Sequence, residues 1–202
     1  KLTLPKAIDE TSYVYSQARN KGVYLEHLEV SKNLEIISGT LKDDLNQLSE
    51  GRVDGIMDSL LESRKRLTQL KEQVVHEEKA YDELKGNVQF LYDQIDHLEK
   101  QRLMLRELYE KKKDRFDLND MTAQLDMIDQ EVKKLFADRE TLKGCMLEKT
   151  IPATTLLLTY KDLSADTNEV CDRFEKLKEQ LESACSDEIR AQKQLLKLQL
   201  IL

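Results

Sequence analysis

Three histidines are the residues of this chain best suited to acid–base catalysis or metal binding. His27, His76 and His97 are far apart, and none belongs to a Glu-x-x-His pair like those of di-metal helical bundles. His76 and His97 fall at outward positions of a predicted helix, where a histidine is solvated. Asp and Glu are abundant, but their spacing follows the polar faces of helices. With no phosphate loop, nucleophile elbow or zinc spacing, the sequence predicts no enzyme activity, metal or cofactor.

The three cysteines also carry no recognisable chemistry. Cys145, Cys171 and Cys185 are odd in number, widely spaced, and form no Cys-x-x-Cys pair. This usage is typical of a reducing compartment. Because the chain begins Lys-Leu without a methionine and stops on an apolar run, we expect it to be part of a longer protein.

The dominant pattern is a heptad register that runs from Leu60 to Lys112. A repeat of this length predicts a helix that buries a narrow apolar stripe against other helices. The expected interface residues of this seam are Leu67, Leu70, Val74, Tyr81, Leu84, Val88, Leu91, Ile95, Leu98 and Leu105. Similar stripes continue the interface at Leu125, Ile128, Val132 and Leu135, and then at Phe174, Leu177, Leu181, Leu195 and Leu198.

Composition indicates that helices make up the whole chain. Charged residues account for 35% and aromatic residues for 5%, with only two Pro and six Gly in 202 residues. A compact domain of this size uses more aromatic and turn-forming residues. The predicted fold class is all-α, with long coiled-coil helices and helical hairpins in an elongated molecule that has no globular domain.

Turn formers and breaks in the register give the expected helix bounds. Gly51 and Gly55 mark one turn, Pro152 marks another, and Ser164 or Asp166 is the expected cap of the last helix. The apolar register also shifts by two residues near 113–120, which predicts a loop or kink there. The predicted segments are an N-terminal helix over 1–48, a central coiled-coil helix over 56–112, a third helix over 118–149, a short helix over 152–163, and a C-terminal coiled-coil helix over 165–202.

The charges of the residues that flank the seam indicate which kind of chain can pair with it. β-branched residues at the first seam position with Leu at the second favour two-stranded packing in parallel coils. In a parallel homodimer, however, Arg66 would face Lys71 and Arg173 would face Lys178. Self-pairing therefore gains nothing from these charges. We expect other coiled-coil chains as partners, in a hetero-oligomer rather than a homodimer, or an intrachain hairpin joined by partner helices.

Several residues do not fit a simple two-stranded seam. Glu77 and Arg102 occupy seam positions, where they either reach solvent at a loosely packed point or fix register by pairing with an opposite charge. Phe90, Leu103 and Met104 fall on the outer face. They are either scattered surface residues or a possible second interface, at which another helix docks.

Charge and hydropathy argue against two other classes of partner. The formal net charge of −7 disfavours nucleic acid, because phosphate binding needs a basic excess. No apolar run is long enough to span a membrane. The basic cluster of Lys111, Lys112, Lys113 and Arg115 either solvates a loop or contacts an acidic surface such as tubulin or a lipid headgroup.

The C-terminal third of the chain resembles a known family. Thr150-Ile151-Pro152, the run 158–163 (Leu-Thr-Tyr-Lys-Asp-Leu) and the helix over 174–181 resemble the end of the smallest coiled-coil subunits of the augmin complex. In the augmin subunits a Pro usually follows the segment that the run 158–163 resembles, whereas here Ser164-Ala165-Asp166 follows it. The resemblance implies a structural subunit of an assembly that recruits microtubule nucleators to the spindle.

These patterns together predict a non-catalytic scaffold subunit of an elongated heteromeric coiled-coil complex. The expected setting is the cytoplasm and cytoskeleton, with indirect microtubule association at the spindle or centrosome. The alternative is a membrane-traffic tether or adaptor built on a helical bundle, which needs a basic face that the acidic total disfavours.

Overall fold

The computed structural model describes residues 3–113 and 119–199, apart from the side chains of His27, residues 119–120, Glu188 and residues 196–199. Within this part the chain contains five α-helices, one short 3-10 helix and no β-strand. The prediction of an all-α fold of long helices is confirmed. The helices are α1 (Leu4–Asn20), the 3-10 helix (Glu26–Leu28), α2 (Val30–Ser49), α3 (Ile56–Lys112), α4 (Asn119–Glu148) and α5 (Ala153–Gln199).

The single N-terminal helix predicted over 1–48 is wrong, because the chain turns between α1 and α2. Gly22, just after α1, has a φ of 77°, and Glu29, just before α2, has a φ of 46°. Glycine adopts this left-handed conformation without a Cβ clash, and it commonly ends helices for that reason. The dipeptide Lys21-Gly22 was the available signal.

The two helices predicted over 152–163 and 165–202 are one helix, α5. Ser164 and Asp166, the expected caps, lie inside it. The neighbouring Thr167 is fully buried and its hydroxyl donates to the Leu163 carbonyl oxygen at 2.7 Å. A small polar side chain can thus be satisfied within a helix and need not interrupt it. Pro152 lies immediately before α5. Proline suits the start of a helix, because an amide donor there would have no partner within the helix.

The central helix α3 has the bounds Ile56–Lys112, the same as those of the predicted segment. The turn before it contains Gly51 and Gly55, with φ values of 77° and 81°. The helix α4 ends at Glu148 and is followed by Lys149, which has a φ of 54°. The predicted break near 113–120 lies largely outside the described residues, as does Arg115.

The chain forms two compact units. Unit 1 comprises Lys1–Gly86 and Cys145–Leu158, and unit 2 comprises Asn87–Gly144 and Thr159–Leu202. The helix α3 contributes its first part to unit 1 and its second part to unit 2, and α4 and α5 are likewise divided between the units.

Unit 1 is built on a bundle of α1, α2 and the first part of α3. Glu10 faces Lys71 at 3.3 Å and Lys21 faces Glu78 at 2.7 Å, so α1 runs parallel to α3. The three helices and the turn after α1 share one apolar core. Its buried members are Ala18, Val23, Leu25, Val30, Leu34, Ile37, Leu41, Leu67, Leu70 and Val74.

Unit 2 packs the remainder of α3 against α4 and α5. Arg102 bonds to Asp129 at 2.9 Å and Arg106 bonds to Asp126 at 2.8 Å, so α3 and α4 are antiparallel. Arg173 of α5 bonds to Glu131 of α4 at 2.7 Å. Polar pairs therefore accompany an apolar interior. The buried residues of that interior include Leu91, Ile95, Leu98, Leu105, Leu125, Ile128, Val132, Leu135, Leu142, Phe174, Leu177 and Leu181.

Candidate interaction surfaces

The residues considered first for catalysis are not assembled into a site. His76 and His97 are exposed on α3, and the side chain of His27 lies outside the described part. The three cysteines are free and partly buried. In residues 3–113 and 119–199, no group of three or more His, Cys, Asp and Glu side chains could hold a metal ion.

The predicted seam is closed by the chain's own helices. Nearly all of its residues are buried within one unit or the other, including Leu84, Leu91 and Ile95, each with no exposed surface. Tyr81 is partly buried, Leu195 is 60% exposed, and the side chain of Leu198 lies outside the described residues. Within each unit the stripe is therefore covered by helices of the same chain.

Glu77 is a buried carboxylate that caps α5. Only 3% of the residue is exposed, and it accepts hydrogen bonds from the Ala153 backbone amide at 2.8 Å and from the Thr154 hydroxyl. These groups belong to the first turn of α5, whose amides have no partner within the helix. A negative charge at a helix N-terminus is also favoured by the helix dipole. Glu77 therefore joins α3 to the start of α5 instead of reaching solvent.

Arg102 is a second buried ion at a seam position, within unit 2. It is 8% exposed and makes two 2.7 Å bonds to Glu99 and a 2.9 Å bond to Asp129. The bond from Arg102 holds the pKa of the Glu99 carboxyl below its usual range. The pKa of Arg102 is correspondingly raised, chiefly by Glu99. Because the pKa of Glu99 is lower in the folded state, this pair stabilises the fold near neutral pH and loses that contribution as the pH falls through the Glu99 pKa.

Replacing Arg102 with Leu should change the free energy of unfolding by less than about 1.5 kcal/mol, since an apolar side chain can fill a seam position and its carboxylate partners retain access to water. The double substitution Glu99→Ala and Asp129→Ala should cost about 3–5 kcal/mol, because it leaves the buried guanidinium uncompensated. Urea unfolding followed by circular dichroism measures both. An Arg102→Leu variant as unstable as the double variant would contradict this account.

Arg139 has a similar role that the sequence interpretation missed. It is 7% exposed, lies on the Phe136 ring at 4.1 Å from its centroid, and pairs with Asp96 and Glu140. The available signal was its position, since it takes the place of an apolar residue between Leu135 and Leu142 in the stripe of α4. A charged residue in such a stripe is costly unless it is paired.

The residues of the predicted second interface lie on the outer face of α3 in unit 2. Phe90 is 66% exposed, Met104 is 69% exposed and Leu103 is 49% exposed. Phe90 and Met104 share one helical stripe, about 21 Å apart at about 1.5 Å per residue. Met104 also borders an open groove between α3 and α5. The groove is lined by Gln101, Met104, Leu105, Leu108, Phe174, Lys178 and Glu182.

Fold and surfaces together define a class of protein, the bundles of long helices that bury their own seams and present apolar and charged patches. Its sequence matches the family model described as EzrA, septation ring formation regulator, over residues 1–202, so the chain belongs to the EzrA family. It has no match among curated proteins or solved structures. Among the described helices, none combines the length and apolarity that a membrane span requires.

The family match corrects the resemblance to augmin subunits. That resemblance rested on the C-terminal third of the chain, whereas the EzrA model covers residues 1–202. Short stretches such as the one over 174–181 recur in many coiled-coil helices, because a heptad rich in Leu, Glu and Lys satisfies any helical bundle. The family regulates septation in bacteria, so the expected spindle and microtubule role is wrong. The coarser prediction of a non-catalytic helical protein of cell division agrees with the family.

Proposed function

We propose that this chain is a non-catalytic helical scaffold within a regulator of septation ring formation, which acts at the division site by holding other helical proteins. The observation that carries this proposal is the family match over residues 1–202. The buried charges of Glu77, Arg102 and Arg139 support it, since each pairs in a structural contact. The family also favours cell division over the alternative of a membrane-traffic tether.

We further propose that a partner helix docks on the outer face of α3. The exposed side chains of Phe90, Leu103 and Met104 are large apolar groups that water solvates poorly, and the groove beside Met104 has a floor formed by Phe174. An amphipathic helix can place apolar residues along such a stripe and bury them together. The partners would be other helical chains of the septation apparatus, in a hetero-oligomer.

The test follows the tagged full-length protein in its own dividing cells. The wild-type protein should concentrate at the septum and purify with septation-ring proteins identified by mass spectrometry. The double variant Phe90→Ser and Met104→Ser should lose most of the co-purified protein. Met127→Ser is the matched control, because Met127 is 56% exposed on α4 and outside the proposed surface.

The two parts of the proposal fail separately. A wild-type protein spread evenly through the cell, without septation-ring proteins, would contradict the septation role. Full retention of partners by the double variant would contradict only the assignment of the α3 face.

A further inference from the structure

The helix α1 is held in unit 1 by much less apolar burial than α2. Its two buried residues, Thr11 and Ala18, have small side chains, and the Thr11 hydroxyl bonds within α1, to the Ala7 carbonyl oxygen at 2.8 Å. Apolar burial is the dominant favourable contribution to folding. The larger apolar side chains of α1 are only partly buried, and these are Leu4, Ile8, Val14 and Tyr15. The helix α2 instead buries four branched aliphatic side chains, those of Val30, Leu34, Ile37 and Leu41.

The ion pairs between α1 and α3 do not make up for this difference. Glu10 pairs with Lys71 at 3.3 Å, and the two side chains are 40% and 42% exposed. Lys21 pairs with Glu78 at 2.7 Å, and the Lys21 side chain is 47% exposed. Ion pairs with this much exposure contribute little to stability, because water screens the charges and the long side chains lose conformational freedom.

The start of α1 also lacks the features that stabilise a helix locally. Thr3 is the N-cap residue, but its side chain makes no capping hydrogen bond. The first turn contains no acidic residue and does contain Lys6, whose charge is unfavourable at a helix N-terminus. The helix α1 therefore depends on contacts with α2 and α3, and those contacts are weak.

The turn that follows α1 is anchored, in contrast to the helix itself. Residues 23–25 are 3–7% exposed. The Tyr24 hydroxyl donates to the Met146 carbonyl oxygen at 2.7 Å, and the Tyr24 ring meets the edge of Tyr81 at a centroid distance of 5.8 Å. Gly22, with a φ of 77°, lies between this anchor and α1. The helix can therefore move about a fixed end.

The partly buried side chains of α1 pack against an apolar core formed mainly by α2 and α3. Three members of this core, Leu67, Leu70 and Val74 of α3, belong to the stripe that the sequence predicts to contact a partner. All three are 0–4% exposed while α1 is in place. Displacement of α1 would uncover this part of the stripe.

We propose that α1 is a releasable strap, which opens about Gly22 while α2 and α3 stay folded and thereby uncovers the apolar groove between them. Local opening of this kind is expected for an element with few buried apolar contacts that adjoins a better-packed one. The proposal rests on contacts within unit 1 alone, so it is independent of the septation role and of the docking face that contains Phe90.

Native-state hydrogen exchange of the full chain tests the strap. The amides of residues 8–19 in α1 should exchange at least 10-fold faster than those of residues 34–46 in α2. Low concentrations of urea should leave the α1 rates nearly unchanged and should speed the α2 rates, because opening of α1 exposes little surface and unfolding of α2 exposes much more. Equal protection of α1 and α2 would overturn the proposal.

Two matched glycine substitutions separate release of α1 from unfolding of the whole unit. Tyr13 is exposed within α1 and Glu35 is exposed within α2, and glycine is less favourable in a helix than either residue by enough to change an opening equilibrium about 2-fold. Tyr13→Gly should speed exchange in α1 by about that factor. Glu35→Gly should speed exchange in α2 and leave α1 unchanged, because α2 is folded both before and after the strap opens. Faster α1 exchange in Glu35→Gly would show that the two helices open together and would overturn the proposal, as would α1 rates that do not respond to Tyr13→Gly.

Discussion

Replacing Phe174 with Ala should lower the free energy of unfolding by about 3–5 kcal/mol. Phe174 is 1% exposed within unit 2 and is one of the largest fully buried side chains of the described structure. Truncation leaves a cavity that the packed helices cannot collapse to fill, so transfer and cavity costs add. Domains are stable by about 5–15 kcal/mol, which makes this loss a large fraction of the total. Urea unfolding followed by far-ultraviolet circular dichroism measures it.

Phe90→Ala is the matched control for this experiment. The residue type and the substitution are the same, but Phe90 is 66% exposed on α3. Its free energy of unfolding should change by less than about 0.5 kcal/mol, as is usual for surface positions. A loss from Phe174→Ala as small as that expected for Phe90→Ala would show that Phe174 is not part of a packed intrachain core, and the internal seam would then be wrong.

The second large effect is expected at Glu77. Replacing it with Ala should cost about 2–4 kcal/mol, because the Ala153 amide and the Thr154 hydroxyl each lose an acceptor in a buried setting. Hydrogen exchange should accelerate at the amides of the first turn of α5, and chemical denaturation should show the loss of stability.

Two further variants define what Glu77 contributes. Glu77→Gln keeps one side-chain acceptor and should lose about 1 kcal/mol. Glu72→Ala removes an exposed carboxylate from the same helix and should be nearly neutral. If the α5 amides of the Glu77→Ala variant exchange as slowly as those of the Glu72→Ala variant, the hydrogen bonds at the start of α5 are not stabilising.

The fold class could be predicted from the sequence because its signal is repeated along the chain. The stripe of α3 recurs every seven residues, and substitutions at single points such as Glu77 do not erase it. The turns and helix ends were harder to predict. The turn at Gly22 depends on one glycine, and Ser164 and Asp166 are equally compatible with a cap and with a solvated position in a helix.

The candidate surfaces could be predicted only in part, for a different reason. A heptad pattern shows that a stripe is buried, but it does not show whether the covering helix belongs to the same chain. Leu91 and Ile95 have the same residue types in either case. Arg139 was missed because its importance arises from its burial and its pairing with Asp96, which become visible only when α3 and α4 are placed side by side.

The ion pairs of unit 2 have a consequence for the alignment of α3 and α4. Apolar heptads are nearly interchangeable, so one helix could slip past the other by seven residues and still bury Leu against Leu. Such a slip moves each contact by about 10 Å. It would separate Arg102 from Asp129 and Arg139 from Asp96 at the same time, leaving both guanidinium groups away from these carboxylates. The two arginines thus select one axial register of α3 against α4 from among those that the apolar heptads allow.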